Sequence, residues 1–233
     1  MWIFWALLTA FSLGTCDALT KKALHNHNEY LVAWLRLLLA LPLLTICFFL
    51  IPTPPIDRTF FLAFFCAIPL DITAIILYTK ALKASPLGLT LPFLSLTPIF
   101  LVVLPYFILG EQITFSGAVG VIFIASGGYI LNIREAKRGI LEPFSAIRRE
   151  KGSLYMIIVA FIYSFTAPLG KMAIEHSSPI FFGVTYFASL TLCLTPVALH
   201  KNKATLMTAY KDGVLRATVL PGVFTSLVIV AHT

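Results

Sequence analysis

Charged residues are scarce in this sequence, and long apolar stretches take their place. Asp, Glu, Lys and Arg make up 12 % of the 233 residues, whereas a soluble globular domain has about 25 %. The apolar share is 59 %. These proportions exclude a soluble globule and predict an all-α polytopic membrane protein. About eight stretches have the roughly 18 apolar residues that cross a hydrocarbon core of about 30 Å, and they cover approximately residues 2–20, 30–51, 59–79, 86–109, 115–133, 153–174, 179–199 and 213–231.

Residues that bind metals or form disulfides are few as well. The four cysteines lie inside apolar stretches, and the five histidines lie in loops or at the ends of stretches. Only His25 and His27 are close together. We therefore predict no metal site and no disulfide framework. An intramembrane lipid-modifying enzyme would need clustered His, Asp or Glu near one leaflet, so an enzyme is the less favoured alternative.

Acidic residues are fewer than basic ones, and the excess gives a net charge of +7. When the loops are numbered alternately, 14 of the 17 Lys and Arg residues fall on one side of the membrane, whereas Arg58 and Lys171 fall on the other and Arg36 lies inside a stretch. The positive-inside rule then predicts that loops 134–152 and 200–212 are cytoplasmic and that the N-terminus lies outside the plasma membrane. The basic charge therefore predicts contact with the lipid bilayer and its anionic headgroups, and no nucleic-acid partner.

The first two stretches contain opposite charges at similar depths. Asp17 belongs to a narrow polar stripe on the first stretch, and Arg36 lies in the second. A charge inside a bilayer costs at least about 2.5 kcal/mol, so the two residues either neutralise each other as a structural ion pair or contact a substrate. The stripe itself either holds helices together or faces a pore; it consists of Thr9, Ser12, Cys16, Asp17 and Thr20.

Asp71 lies near the middle of the third stretch, directly after Pro69, and Tyr78 follows on the same helical face. A carboxyl at this depth is costly when charged, so it can take up a proton during a functional cycle. We favour a functional role for Asp71 over a purely structural one.

Three prolines interrupt the fourth stretch: Pro92, Pro98 and Pro105. Each would cost about 3 kcal/mol in an exposed helix, but membrane helices tolerate such breaks where neighbours or a cavity satisfy the freed backbone groups. We therefore predict a broken helix here. The fifth stretch is rich in glycine, and we expect Gly120 and Gly127 to lie at a close helix or dimer contact.

The second half of the chain repeats the first. Because five stretches come before the second copy, that copy must enter the membrane inverted, which is the architecture of many transporters with a binding site near the midplane. Residues 10–23, AFSLGTCDALTKKA, match residues 160–173, AFIYSFTAPLGKMA, and Pro69 and Thr73 match Pro221 and Thr225.

These repeats predict three segments. Residues 1–133 form a first repeat of five helices, residues 134–152 form a basic linker, and residues 153–233 form a second repeat with three helices. The second repeat has no counterpart here of the proline-broken helix. Either the sequence is a truncated member of a longer type, or two such chains complete one another as a homodimer.

The sequence resembles the signature region of the EamA family in the drug/metabolite transporter superfamily, and the likeness covers essentially the whole chain. It rests on Tyr78 and Ala81-Leu82 in the third helix, Leu96-Thr97-Pro98 in the fourth, Gly110-Glu111 after it and the glycine-rich residues 117–128. The resemblance implies a ten-helix fold of inverted five-helix repeats, about eight helices of which are present here. It also implies alternating-access transport of amino-acid-like, nucleotide-linked or drug-like metabolites, without a cofactor. Relatives with ten helices have both termini in the cytoplasm, whereas the basic loops of this chain predict the reverse.

We therefore predict a secondary transporter or exchanger whose partner is a small-molecule substrate. Asp71 would take up a proton or face a cationic group, while Asp17 and Arg36 would flank the cytoplasmic mouth. Glu111 is expected to cap a helix or lie at an interface rather than to couple ions. The alternative is a non-transporting membrane subunit or an inactive fragment. The remaining predicted site residues are Tyr78, Thr97, Tyr163 and Lys171 along the path, and Pro98 and Pro168 at the bends.

Overall fold

The structure is a computed structural model that describes residues 2–50, 52–102, 110, 114–131, 150–202 and 212–232. Every regular element within these residues is helical. The elements are α1 (Trp2–Leu24), α2 (Glu29–Phe49), α3 (Arg58–Ala84), α4 (Leu87–Thr90), a 3-10 helix (Leu91–Leu96), α5 (Thr97–Phe100), α6 (Phe115–Leu131), α7 (Lys151–Glu175), α8 (Pro179–Asn202) and α9 (Val214–His232).

Six of the helices in the described part of the chain are long and apolar enough to cross a membrane: α1, α2, α3, α7, α8 and α9. The other two predicted stretches also form apolar helices, but those are shorter, at Leu87–Phe100 and Phe115–Gly128. In the residues that the structure describes, each of the eight stretches is helical, and the prediction of an all-α polytopic membrane protein is confirmed.

The fourth predicted stretch is broken, as its prolines indicate. It consists of α4, a 3-10 helix and α5, and each of the last two begins with a proline in its first turn, Pro92 and Pro98. A proline has no N–H to donate, and only the first turn of a helix leaves that donor unused. A new helical segment therefore begins at each of these two prolines. Pro105 lies outside the described residues.

The chain divides into two compact units. The first unit contains residues 1–68 and 173–233, and the second contains residues 69–172. The chain passes from one unit to the other inside two continuous helices, between Ile68 and Pro69 of α3 and between Met172 and Ala173 of α7.

In the first unit, α9 packs against α1 and α2, and α2 also packs against α8. Ala40, Leu44, Val184 and Ile229 form a buried core. Gly222 allows the close approach of α9 to α2, because a Cβ atom at this position would lie 2.6 Å from Leu39 Cβ.

Six aromatic rings of the first unit form a cluster that joins α2, α3 and α8. The rings of Phe60 and Phe64 are tilted against each other at 5.3 Å, and Tyr186 stacks on Phe182 at 4.9 Å, both measured between ring centroids. Such pairs each contribute about 0.5–1.5 kcal/mol beyond the burial of their surface, so the cluster fixes these helices to one another. The aromatic cluster consists of Phe48, Phe60, Phe64, Phe181, Phe182 and Tyr186.

In the second unit, small residues allow two close contacts. A Cβ atom at Gly128 of α6 would overlap the side chain of Ser95 in the broken helix. A Cβ atom at Gly152 of α7 would lie 2.7 Å from Ser85 Oγ, just after the end of α3. Ser85 Oγ also donates a hydrogen bond to Glu150 Oε2 at 2.5 Å, so the end of α3 is held to the beginning of α7.

The two matched prolines have the same local geometry. Thr73 Oγ1 donates to the carbonyl of Pro69 at 2.9 Å in α3, and Thr225 Oγ1 donates to the carbonyl of Pro221 at 2.8 Å in α9. Both prolines lie inside continuous helices. The same bond to the carbonyl four residues earlier occurs at Thr79 and Thr191, so the equivalence of the third and last helices as elements of a repeat stays a prediction.

Candidate functional site

The structure brings Asp17 and Arg36 together in the first unit. Arg36 Nη1 lies 3.9 Å from Asp17 Oδ1, and the side chains are only 13 % and 4 % exposed, respectively. Opposite charges at this separation form an ion pair. The predicted similarity in depth is therefore matched by an ion pair between α1 and α2.

Buried polar groups continue from this ion pair along the contact between α1 and α9, and we call them the polar seam. The polar seam consists of Ser12, Cys16 and Thr225. Cys16 Sγ lies 3.3 Å from Thr225 Oγ1 and 3.4 Å from the carbonyl oxygen of Pro221. Arg36 Nη1 lies 4.0 Å from Cys16 Sγ. The polar stripe of the first helix thus contacts another helix at this position, which favours the helix-packing interpretation for Cys16.

Ser12 lies one helical turn before Cys16 on the same face and is 1 % exposed. Its Oγ atom is buried and has no hydrogen-bond partner among the described residues. A buried hydroxyl without a partner costs about 1–3 kcal/mol. In the polar seam, the hydroxyl of Ser12 is therefore a group that can still form a hydrogen bond.

Asp71 belongs to the second unit and lies on the buried face of α3. The helical spacing of this face places Asp71 one turn after the buried Ala67 and Ile68 and one turn before the buried Ala74 and Ile75. The side chain is half-buried, and its Oδ1 oxygen is shielded from the surface. A carboxyl therefore occupies a position that the sequence pattern otherwise reserves for apolar residues.

Tyr78 and Tyr163 lie in the same unit as Asp71. Tyr78 is 5 % exposed and follows on the buried face of α3, while Tyr163 of α7 is half-buried. Measured from the Ser85–Glu150 contact at 1.5 Å per residue, Asp71 lies about 21 Å along α3 and Tyr163 about 20 Å along α7. Asp71 and Tyr163 therefore lie at similar distances from this contact, each measured along its own helix.

The other predicted path residues lie elsewhere. Lys171 is exposed near the C-terminal end of α7. At 1.5 Å per residue it lies about 32 Å along this helix from the Ser85–Glu150 contact. Thr97 and Pro98 are half-buried at the start of α5, and Pro168 is buried inside α7. The bends at Pro98 and Pro168 thus fall in the second unit, and the role of these residues in gating stays a prediction.

The predicted interface residues have mixed positions. Around Gly120 and Gly127 an added Cβ atom would meet nothing within 4 Å, whereas Gly128 makes the close contact of α6. The expectation that Gly120 and Gly127 lie at a helix or dimer contact stays a prediction. Glu111 and most of the linker 134–152 lie outside the described residues.

Two polar contacts were not predicted from the sequence. His176 Nδ1 lies 2.8 Å from Asp57 Oδ2, and Trp34 Nε1 donates to Thr195 Oγ1 at 2.9 Å. A local signal was present for Asp57, because an Asp directly before an apolar helix is a typical N-cap. In the part of the chain that the structure describes, no group of three or more His, Cys, Asp and Glu residues could hold a metal ion.

Comparison with known proteins decides the family. A model of the EamA-like transporter family matches residues 1–133, more than half of the chain. The chain belongs to the EamA-like transporter family. No curated protein and no solved structure matches it. Members of the EamA family are transporters rather than enzymes, so this EamA protein is an integral membrane protein of the drug/metabolite transporter type.

Proposed function

We propose that this EamA protein is a secondary transporter that moves small metabolites across the membrane by alternating access and couples this movement to protons through Asp71. The observation that carries the proposal is the position of Asp71, a carboxyl on the buried face of a membrane helix in a chain of a transporter family. Protonation neutralises the carboxyl and so lowers the cost of moving it between two environments. Tyr163 lies at a similar distance from the Ser85–Glu150 contact along α7, and a tyrosine hydroxyl can donate a hydrogen bond to a carboxylate.

The substrate in this proposal carries an anionic group that contacts Arg36. Arg36 lies 3.9 Å from Asp17 on the neighbouring helix, and a guanidinium binds carboxylates and phosphates in bidentate geometry. Amino-acid-like and nucleotide-linked metabolites both have such a group. Asp17 would balance the charge of Arg36 while the site is empty.

The test uses the purified full chain in proteoliposomes. Amino acids and nucleotide sugars are first screened by thermal shift, and a stabilising compound is then used in uptake assays with and without an inward proton gradient. In the Asp71→Asn variant, we expect the gradient to lose its stimulation of uptake, while exchange between internal and external substrate continues. Asn has nearly the shape of Asp but cannot take up the proton.

Asp212→Asn is the matched control, because Asp212 is exposed and lies outside the helices. It should retain the stimulation seen in the wild type. If Asp71→Asn retains the full stimulation as well, the coupling role of Asp71 is refuted, and if no screened compound enters the vesicles, the assignment of these substrate classes is refuted.

A further inference from the structure

In the first unit, a side-chain contact joins the residue before α3 to the residue after α7. Asp57 is the residue directly before α3, and His176 is the residue directly after α7. Their side chains meet at 2.8 Å, between Asp57 Oδ2 and His176 Nδ1, although 119 positions separate them in sequence. Asp57 and His176 are 52 % and 41 % exposed, so the contact is accessible to solvent protons.

The carboxylate of Asp57 is fixed in place by a second bond. Its Oδ1 oxygen accepts a hydrogen bond from the backbone N–H of Phe60 at 2.9 Å, which caps the first turn of α3. This N–H, followed by the His176 side chain, holds the pKa of Asp57 below its ordinary value. Asp57 contributes its stabilisation while it is charged, and this contribution is lost only as the pH falls through that lowered pKa. The carboxylate therefore stays charged between about pH 5 and pH 8.

Both sides of the contact rest on packed aromatic rings. Phe60, three residues after Asp57, lies 6.1 Å from Phe181, five residues after His176, measured between ring centroids. Phe48 of α2 lies 5.9 Å from the same Phe181 ring. The aromatic cluster thus holds the two segments that carry Asp57 and His176 close together. Because these segments are already close, small side-chain movements are enough to form or break the polar contact.

We propose that Asp57 and His176 form a pH-sensitive latch that ties the beginning of α3 to the end of α7. Imidazole is the side chain that gains or loses a proton between about pH 5 and pH 8. In acid, the imidazolium makes a charge-assisted bond to the carboxylate, which is roughly twice as strong as a neutral one. As the pH rises, the charge is lost and the latch weakens. The latch does not rest on the proposed transport function.

In the sequence, the charged residues next to Asp57 and His176 are Arg58 at the start of α3 and Glu175 at the end of α7, and Lys171 lies about one turn before Glu175. The neighbouring ends of α2 and α8 present aromatic rings of the cluster. Within residues 44–60 and 171–184, His176 is the sole histidine. The latch therefore depends on the imidazole of His176.

The test compares the wild type with His176→Gln by hydrogen–deuterium exchange of the full chain in lipid nanodiscs. Exchange is followed in peptides covering residues 52–60 and 176–182, at about pH 6 and about pH 8. The ratio of variant to wild-type rates at one pH cancels the intrinsic pH dependence of exchange. We expect these peptides of the variant to exchange about two- to fivefold faster at the lower pH, and the ratio of variant to wild-type rates to be smaller at the higher pH.

Two further variants make the result specific. Asp57→Asn retains the helix cap, because Asn also accepts the Phe60 N–H, and it should behave like His176→Gln. His200→Gln removes a histidine from the last turn of α8 and should give a ratio of one at both pH values. A ratio for His176→Gln that is the same at the two pH values, whether one or larger, would overturn the latch.

Discussion

Arg36 is a costly side chain in the membrane part of the first unit, because a guanidinium is mostly buried there. Its side chain is 13 % exposed, and Asp17 lies 3.9 Å away on the neighbouring helix. Taking the two charges out of water costs several kcal/mol each, and their attraction offsets much of that cost. The neutralisation makes it possible for α1 and α2 to lie in a bilayer at this depth.

A double-mutant cycle measures this coupling. Asp17→Asn and Arg36→Gln should each destabilise the purified protein by about 3 kcal/mol, because each leaves the opposite charge buried and uncompensated. The double variant should lose less than the sum, since no uncompensated charge remains. Denaturation in mixed detergent gives the free energies of unfolding. Strictly additive losses would contradict the coupling.

For single residues, the sequence predicts the depth of a side chain in the membrane better than it predicts which residue that side chain contacts. Counting residues along two apolar stretches places Asp17 and Arg36 at similar depths, and the structure brings them together. The contact between Cys16 and Thr225 joins positions 209 residues apart. No local pattern encodes which face of a distant helix meets Cys16, since every helix offers several faces at the same depth.

At the scale of helices, small residues determine how closely neighbours approach. Gly222 lies buried in α9, and a Cβ atom there would lie 2.6 Å from Leu39 Cβ of α2. Gly14 of α1 is exposed, with nothing within 4 Å of an added Cβ atom. Membrane helices associate largely through such close packing, because lipid supplies no hydrophobic force between them.

The matched substitutions Gly222→Ala and Gly14→Ala should therefore have opposite effects. The first must push α9 away from α2 and should destabilise the protein by about 1–3 kcal/mol. The second should be neutral or stabilising by up to about 1 kcal/mol, because alanine favours a helix over glycine. The thermal unfolding midpoints of the purified variants test this pair. Equal midpoints for both variants would show that Gly222 is not a tight contact.

The helices themselves could be predicted because each is a long apolar run, and the restarts at Pro92 and Pro98 follow from the missing proline N–H. The glycine that makes the close contact in α6 could not be chosen in advance. Gly120, Gly127 and Gly128 have the same chemistry, and only the position of Ser95 singles out Gly128.

At the scale of the whole molecule, the asymmetry of basic residues predicts orientation. Fourteen of the 17 Lys and Arg residues lie in loops or near helix ends on one predicted side of the membrane. Basic residues near membrane helices are retained in the cytoplasm during insertion. We therefore expect the loops 134–152 and 200–212 to be cytoplasmic and the N-terminus to be outside.

An epitope tag placed in loop 134–152 tests this orientation in intact cells. Antibody should bind that tag only after the membrane is permeabilised, whereas a tag at the N-terminus should be accessible in intact cells. The two tags serve as controls for each other, because the residues between them include five predicted crossings. The opposite labelling pattern would contradict the orientation.

The passage of the chain between the units inside α3 and α7 has a mechanical consequence. Both connections are helical rather than loops. Pro69 is the first residue of the second unit, and Pro168 lies four residues before the boundary in α7. Each proline removes one backbone hydrogen bond and lets the helix bend there. A bend at either proline therefore breaks fewer backbone hydrogen bonds than a bend elsewhere in α3 or α7, so the prolines set where each of these two helices yields most easily.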